Sequence, residues 1–435
     1  MYRALSAPIT CQVELTSACN NKCLHCYNHW RHGNETINTH MTRETIDYTI
    51  LEMEKNGIFQ VTLTGGEVFL RRKELFYMIE KLKAAKISCT INSNLTVFTE
   101  QDAQRLHSLG VTGILTSLCS FDSRRHDEIT RHRGSFKKTM RGIAIALKAG
   151  ITIAVSMVVT KSNVNDVRET GLFLKRSGVN QFFATKASPP LNAKNFEEFM
   201  ISKEQLLIVM NDLSELRDSH GLTVGILECY PLCSYKDQSF YSFAAGRRCS
   251  AGITTCTISA NGTIRPCSHS DEIFGTITAE GLQSTWEKMG ACRDGSRLPA
   301  GCHSCKLLSR CSGGCRVDAL YCTGKYAEMD PYATPDEVSS VKLAPPNFPQ
   351  LGENDQFTIN EGLKIRQEKF GVLVADVNHA GTPALITMDT LRLIRRLEGN
   401  IFNLTTVTDI TKLPKFAALN LCSAMVKDSI FIKIN

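Results

Sequence analysis

The chain has 435 residues, 43% of them hydrophobic, and a formal net charge of +7 spread along its length. That length suits two or three domains, the apolar content fills their cores without covalent staples, and so modest a basic excess gives no reason to expect a nucleic-acid partner. The opening MYRALSAPIT lacks the basic start and apolar run of an export signal, and no apolar stretch reaches the roughly eighteen residues of a membrane span, so a cytoplasmic protein without a membrane partner is expected. In a reducing compartment the 18 cysteines stay thiols, and where they cluster they read as metal or redox ligands.

From residue 11 to about 190, short apolar runs alternate with amphipathic helical patterns, which predicts a parallel β/α layout. The strands are expected at 11–15, 59–64, 87–91, 113–116, 151–159 and 181–184. Between them Leu75, Met78, Ile79 and Leu82 have the spacing of a helix with one buried face, and Met140, Ile143, Ala144 and Leu147 repeat it until Gly150 stops the helix. Six such units close part of an eight-stranded barrel, whose reactive groups sit on loops at the carboxyl ends of the strands.

Those loops carry the chemistry. After the first strand come Cys19, Cys23 and Cys26, spaced C-x3-C-x2-C and followed by Tyr27. Three thiolates can hold three corners of a four-iron cluster and leave the fourth iron open to a small molecule. Gly65-Gly66-Glu67 follows the second strand, and glycines let a backbone approach a bound molecule closely. Ser93 and Asn94 follow the third strand and Ser117 the fourth, where polar turn residues are ordinary. His126-Asp127 reads as a structural pair at a helix start. Cys11, Cys89, Cys119 and Cys422 fall in apolar segments and read as small core residues.

A polar helical connector is expected at 202–219, within a connecting span 201–248. The second cysteine region then runs Cys249-x12-Gly262-x4-Cys267, followed by Cys302-x2-Cys305-x5-Cys311-x3-Cys315, with Cys322 beyond it and Cys292 without a role. Its C-x2-C pair would also suit tetrahedral zinc. Five prolines between 331 and 349 mark a linker, taken as 334–356. The last segment, 357–435, predicts strands at 363–368 and 371–377 joined by a tight turn. Thr387 then caps a helix with apolar positions Met388, Leu391, Ile394 and Leu397 that ends at Gly399, and an edge strand follows at 429–434.

The triad together with Gly-Gly-Glu resembles the radical S-adenosylmethionine (SAM) superfamily, and residues 249–333 resemble its SPASM auxiliary-cluster domain. The terminal segment resembles the small winged domain of pyrroloquinoline-quinone chaperones, PqqD-like, which recurs as a leader-recognition element in ribosomal-peptide (RiPP) maturation. The resemblance implies a partial (β/α)6 TIM-barrel core over 1–200, a SPASM domain over 249–333 and an α+β winged domain over 357–435. It implies SAM and [4Fe-4S] clusters as cofactors, one SAM-binding at Cys19, Cys23 and Cys26 and two auxiliary. Cys249, Cys267 and Cys315 would hold the first auxiliary cluster and Cys302, Cys305 and Cys311 the second. Tyr27 would pack near the adenine, Gly65 and Gly66 would border SAM, and Glu67 or nearby carbonyls would receive its ammonium group. Ser93, Asn94 and Ser117 would contact its ribose or carboxylate.

One departure from the family pattern concerns the fourth ligands. Where the SPASM pattern has a last cysteine after Asp-Pro, this chain has Asp330-Pro331-Tyr332-Ala333, so Cys322 substitutes or the site is open or has a non-cysteine ligand. For the first auxiliary cluster Cys229, Cys233 and Cys256 all remain available. The expected function is oxidative C–H chemistry, such as a cross-link, on a precursor peptide with a leader, with a reductase such as flavodoxin or ferredoxin as electron donor. A sulfatase-maturase-like activity is the alternative, although that group has an aspartate where Ser268 stands. The others are a haem-pathway or small-molecule SPASM enzyme, and a non-enzymatic iron–sulfur carrier or zinc scaffold. Asp122, Asp127 and Tyr321 do not separate themselves as a catalytic base.

Overall fold

A computed structural model describes residues 3–31, 38–111, 113–191, 193–235, 240–244, 247–334, 348–352, 354–378 and 381–434. Most of the stretch read as a linker lies outside the described residues. Seven parallel strands follow chain order across one sheet: β1 (Thr10–Thr16), β2 (Gln60–Gly65), β3 (Ser88–Asn92), β4 (Gly113–Ser117), β5 (Ile153–Val159), β6 (Gln181–Lys186) and β7 (Thr223–Gly225). The first six lie within two residues of their expected bounds, because fully buried parallel strands are continuous apolar runs bounded by turns. The crossovers are α1 (Arg43–Lys55), α2 (Arg72–Ala84), α3 (Glu100–Leu109), α4 (Ser123–Thr130), α5 (Ser135–Lys148), α6 (Val167–Arg176) and α7 (Lys203–Asp218).

The helix expected as a polar connector is α7, and it belongs to the core. Ser202 and Gln205 close a capping box at its start, and Leu206, Val209, Met210, Leu213 and Leu216 are buried on one face. Since β7 then extends the sheet, the parallel unit continues past residue 200 to Gly225.

The cysteine-rich region joins the opposite side of the same sheet. After the short α8 (Tyr241–Ala244), β8 (Thr255–Ile258) pairs in parallel with β1, and β9 (Thr263–Arg265) and β10 (Gly275–Thr276) continue antiparallel. The order is β10-β9-β8-β1-β2-β3-β4-β5-β6-β7, open at β10 and β7. The helices α9 (Gly281–Lys288), α10 (Leu308–Cys311) and α11 (Arg316–Thr323) complete the region.

Two buried ion pairs clamp it to the strands. Arg265 Nη2 donates to both carboxylate oxygens of Glu14 on β1 at 2.6 Å, and Lys186 at the end of β6 pairs with Asp318 on α11. Removing one partner of such a pair strands the other charge in the interior, at a cost of about 3–5 kcal/mol.

The C-terminal segment has its own hydrophobic core, built from Phe357, Val372, Leu391, Phe402, Ala418 and Phe431 among others. It contains the sheet β12 (Leu363–Glu368), β13 (Gly371–Asp376), β14 (Ala384–Ile386), preceded in the chain by β11 (Gln356–Ile359). Next come α12 (Met388–Leu397), capped by Thr387, then β15 (Phe402–Asn403), α13 (Leu404–Thr411), α14 (Lys415–Lys427) and β16 (Phe431–Ile434). The second sheet runs β15-β11-β16. Arg366 on β12 donates to Ala7 O at 2.9 Å and Pro8 O at 2.7 Å and pairs with Glu368, which accepts from Ser6 N at 2.8 Å. This seam fastens the module to the entry of β1. Among the described residues no helix is long and apolar enough to cross a membrane.

Candidate cofactor and cluster sites

The loops after β1, β2 and β3 interlock. Gly66 N donates to Thr16 O at 2.7 Å and Glu67 N to Ala18 O at 2.8 Å. A Cβ on Gly66 would lie 2.0 Å from Ala18 O, and one on Gly65, whose φ is +123°, would lie 2.4 Å from Thr16 O. Both glycines are therefore needed to seat the cysteine-bearing loop.

Glu67 is buried, and its carboxylate accepts from Phe69 N at 3.0 Å, Ser93 Oγ at 2.8 Å and Asn94 N at 2.8 Å. Burial pushes its pKa up against the pull of these donors. With those donors on the carboxylate, Glu67 and Ser93 buckle β2 to β3, while Gly65 O accepts from Asn28 Nδ2 at 2.9 Å. Asn94 does more: its Nδ2 donates to Asn20 Oδ1 at 3.0 Å and lies 3.8 Å from Cys19 Sγ. Ser117 is exposed at the end of β4, in register with Ser156 on β5.

Cys19, Cys23 and Cys26 thus share one braced loop. Burial pushes Cys19 up to about 11 and raises Cys23 and Cys26 as well, so the thiols are protonated and cluster binding must release protons. Three neighbouring thiols, an amide aimed at one sulfur and a backbone cradle too tight for a Cβ fit a three-cysteine cluster site.

Four cysteines from four separate segments, Cys229, Cys249, Cys267 and Cys315, line a cavity of about 150 Å³, with Cys292, Glu228 and His269 also on its wall. A hydrogen bond from Cys229 brings Cys249 down to about 7. The loop bearing Cys267 is held by Arg265, which donates to Ser268 O at 3.2 Å and to Ser270 O while paired with Glu14. His269 pairs with Glu228 at 3.2 Å, and its ring stacks on Tyr27 with centroids 4.6 Å apart. The residue directly after the triad therefore touches the wall of the second cavity, and its observed partner is His269.

Of the residues left open for the first auxiliary set, Cys229 lines this cavity. Cys256 instead faces Cys11 across the β1–β8 pair, Sγ to Sγ 3.7 Å. Cys233 lies beside Cys302 and Cys311. Cys322 is exposed on α11, and its strongest electrostatic neighbours are Asp318, Asp330 and Glu197. Among the described residues no three His, Cys, Asp or Glu side chains converge as ligands of a single ion would.

The three acid/base candidates have structural work: Asp122 caps α4, Asp127 accepts from Ser135 Oγ and Phe136 N, both at 2.9 Å, and Tyr321 Oη accepts from Phe196 N at 3.0 Å. Reading the sequence alone missed Glu14, Arg265, Lys186, Asp318, Glu228 and His269. Glu14 and Lys186 carried a signal, since each is a charge embedded in a strand-like apolar run; the others had none.

Residues 13–174 match the sequence model of the radical SAM superfamily. That stretch of the chain is therefore similar to a radical SAM domain, a likeness that implies SAM and an iron–sulfur cluster as cofactors. It is 24% identical to the AdoMet-dependent heme synthase of Methanosarcina barkeri, over 76% of this chain and 98% of that protein. It is 26% identical to the mycofactocin maturase MftC of Mycolicibacterium smegmatis, over 74% of this chain and 81% of that one. The structure of Streptococcus suis SuiB bound to its precursor peptide SuiA shares the fold, with a TM-score of 0.60 over 75% of this chain and 76% of that chain at 19% identity.

Proposed function

We propose that this protein is a peptide maturase that oxidises an unactivated C–H bond in a ribosomally made precursor, forming a cross-link or a related product. The observation that carries the reading is the contact between the two cysteine sites: Tyr27, next to the triad, stacks on His269 in the wall of the cavity lined by Cys229, Cys249, Cys267 and Cys315. An oxidation that passes through a substrate radical needs a nearby electron acceptor, and a carrier or scaffold needs no cluster with an open iron beside it.

Cys19, Cys23 and Cys26 would hold the SAM-binding cluster, and the second region two auxiliary clusters. When bound, the cluster and SAM supply a 5′-deoxyadenosyl radical that removes a substrate hydrogen. The chain's own residues fix the geometry. The Gly65-Gly66 turn seats the triad loop, Asn94 sets an N–H toward Cys19 Sγ, and Arg265 with Glu14 holds the Cys267 loop against β1. Ser117, exposed at the end of β4, would meet SAM or substrate. A flavodoxin or ferredoxin would deliver the reducing electron.

The leader would dock on the C-terminal module by strand addition at β14, an edge strand whose Leu385 is exposed. The names of MftC and of the SuiB complex support a peptide substrate. The heme synthase likeness supports a haem-pathway reading, against which this module stands. Co-expression with any short peptide found in the neighbouring open reading frames, followed by mass spectrometry, tests the proposal. Loss of two hydrogens per modification is expected, and an unmodified peptide alongside turnover of a tetrapyrrole would overturn it. A proline in the leader's docking segment should weaken binding more than an alanine there, because strand addition depends on backbone donors.

A further inference from the structure

We propose that Cys233, on the turn after β7, is the fourth protein ligand of the second auxiliary cluster, taking the place of the cysteine absent at position 333. The proposal rests on the reading of Cys302, Cys305 and Cys311 as cluster ligands and names the residue that completes them.

The turn Leu232–Ser234 is pinned between the two segments that matter. On one side Leu232 N donates to Cys311 Sγ at 3.3 Å. On the other, Ser234 Oγ donates to Tyr332 O at 2.7 Å, Thr334 Oγ1 donates to Cys233 O, and Thr334 N donates to Cys233 Sγ at 3.2 Å. The sulfur of Cys233 therefore sits against the backbone of Ala333–Thr334, where the family pattern would place a sulfur from residue 333 itself. Cys302 and Cys311 are near enough that each bears electrostatically on the Cys233 thiol.

The competitors are placed elsewhere or occupied. Cys322 is exposed on α11 among Asp318, Asp330 and Glu197. Asp330 accepts from Cys315 N at 2.8 Å and Tyr332 N at 2.9 Å, so both carboxylate oxygens hold backbone donors. A thiolate at Cys233 keeps the Thr334 N–H as a charge-assisted donor, and hydrogen bonds to ligand sulfurs are one of the means by which a protein sets a cluster's potential. The exchange also explains how the chain tolerates Ala333: the ligand has moved about one hundred residues upstream in sequence while its sulfur stays at the same wall of the site.

The test uses the full chain, reconstituted anaerobically with iron and sulfide. Cysteine accessibility comes first: brief alkylation of the reconstituted protein and peptide mapping should show Cys233 protected together with Cys302, Cys305 and Cys311, and Cys322 labelled. Cys233→Ala should then lose iron or gain the signal of a three-iron cluster in EPR, Cys233→Ser should keep the iron with an altered signal, and Cys322→Ala should match the parent. Labelling of Cys233 as fast as Cys322 while the other three are protected would overturn the assignment. If Cys302→Ala/Cys305→Ala leaves iron content unchanged, the cluster reading beneath it is what fails.

Discussion

The two cysteine regions solve the same problem in opposite ways. The triad occupies eight consecutive residues on one loop, and its geometry is set by neighbours on the next two strand ends. The second cavity collects Cys229, Cys249, Cys267 and Cys315 from four segments, and depends on buried charges to keep them in place. A contiguous motif is robust because loop closure over a few residues costs little entropy, while a dispersed site needs the whole fold to be correct.

The sharpest break in this comparison is removal of the triad. Replacing Cys19, Cys23 and Cys26 with alanine should abolish formation of 5′-deoxyadenosine and lower iron by about one-third of a three-cluster protein, leaving the auxiliary EPR signals. Chromatography of SAM products and an iron assay check this, and continued cleavage would show that the loop is not the SAM site.

Arg265→Met attacks the dispersed site through its support. It strands Glu14 in the interior and should cost about 3–5 kcal/mol in a denaturant titration. It should also lower auxiliary iron, since the Cys267 loop loses its anchor, whereas the triad should still load. Equal loss from both regions would mean that the two are not separately supported.

Ending the chain before Phe357 should leave uncoupled SAM cleavage within a few-fold of the parent and weaken leader binding by about tenfold or more, about 1.4 kcal/mol. Calorimetry measures the binding, and circular dichroism establishes that the shortened chain is folded. Leader binding that survives the truncation would return this module to a capping role.

Cysteines in the hydrophobic cores should behave differently from those in the sites. Cys256→Ala and Cys422→Ala remove buried sulfurs packed in the two cores, so each should cost about 1–2 kcal/mol with no change in iron.

The smallest effect is at the seam of the C-terminal module. Burial lowers the Lys364 pKa to about 8, below its unfolded value of roughly 10.4. The charged form is disfavoured in the fold, so the penalty is fully present below pH 8 and fades as pH rises toward the unfolded value. Relative to Lys364→Met, the parent should therefore gain stability between pH 8 and 10. A flat difference between their urea midpoints would remove this residue from the seam's energetics.

The sequence by itself determined the six leading strands, the triad and its Gly-Gly-Glu companion, and the Thr387-capped helix, because each depends on spacing within a few turns of chain. Helix α7 was visible as a helix but not as core, since its buried stripe is interleaved with polar residues. Tertiary structure alone decided which thiols meet. Glu14 and Arg265 lie 251 residues apart, and Cys233 is 101 residues from the Thr334 amide that donates to it. Such partners are chosen by the sheet order, which lays β8 beside β1 and brings the turn after β7 against residues 332–334. Packing of that kind leaves no periodic trace along the chain, so the closeness of Cys233 to residues 333 and 334 is visible only in space.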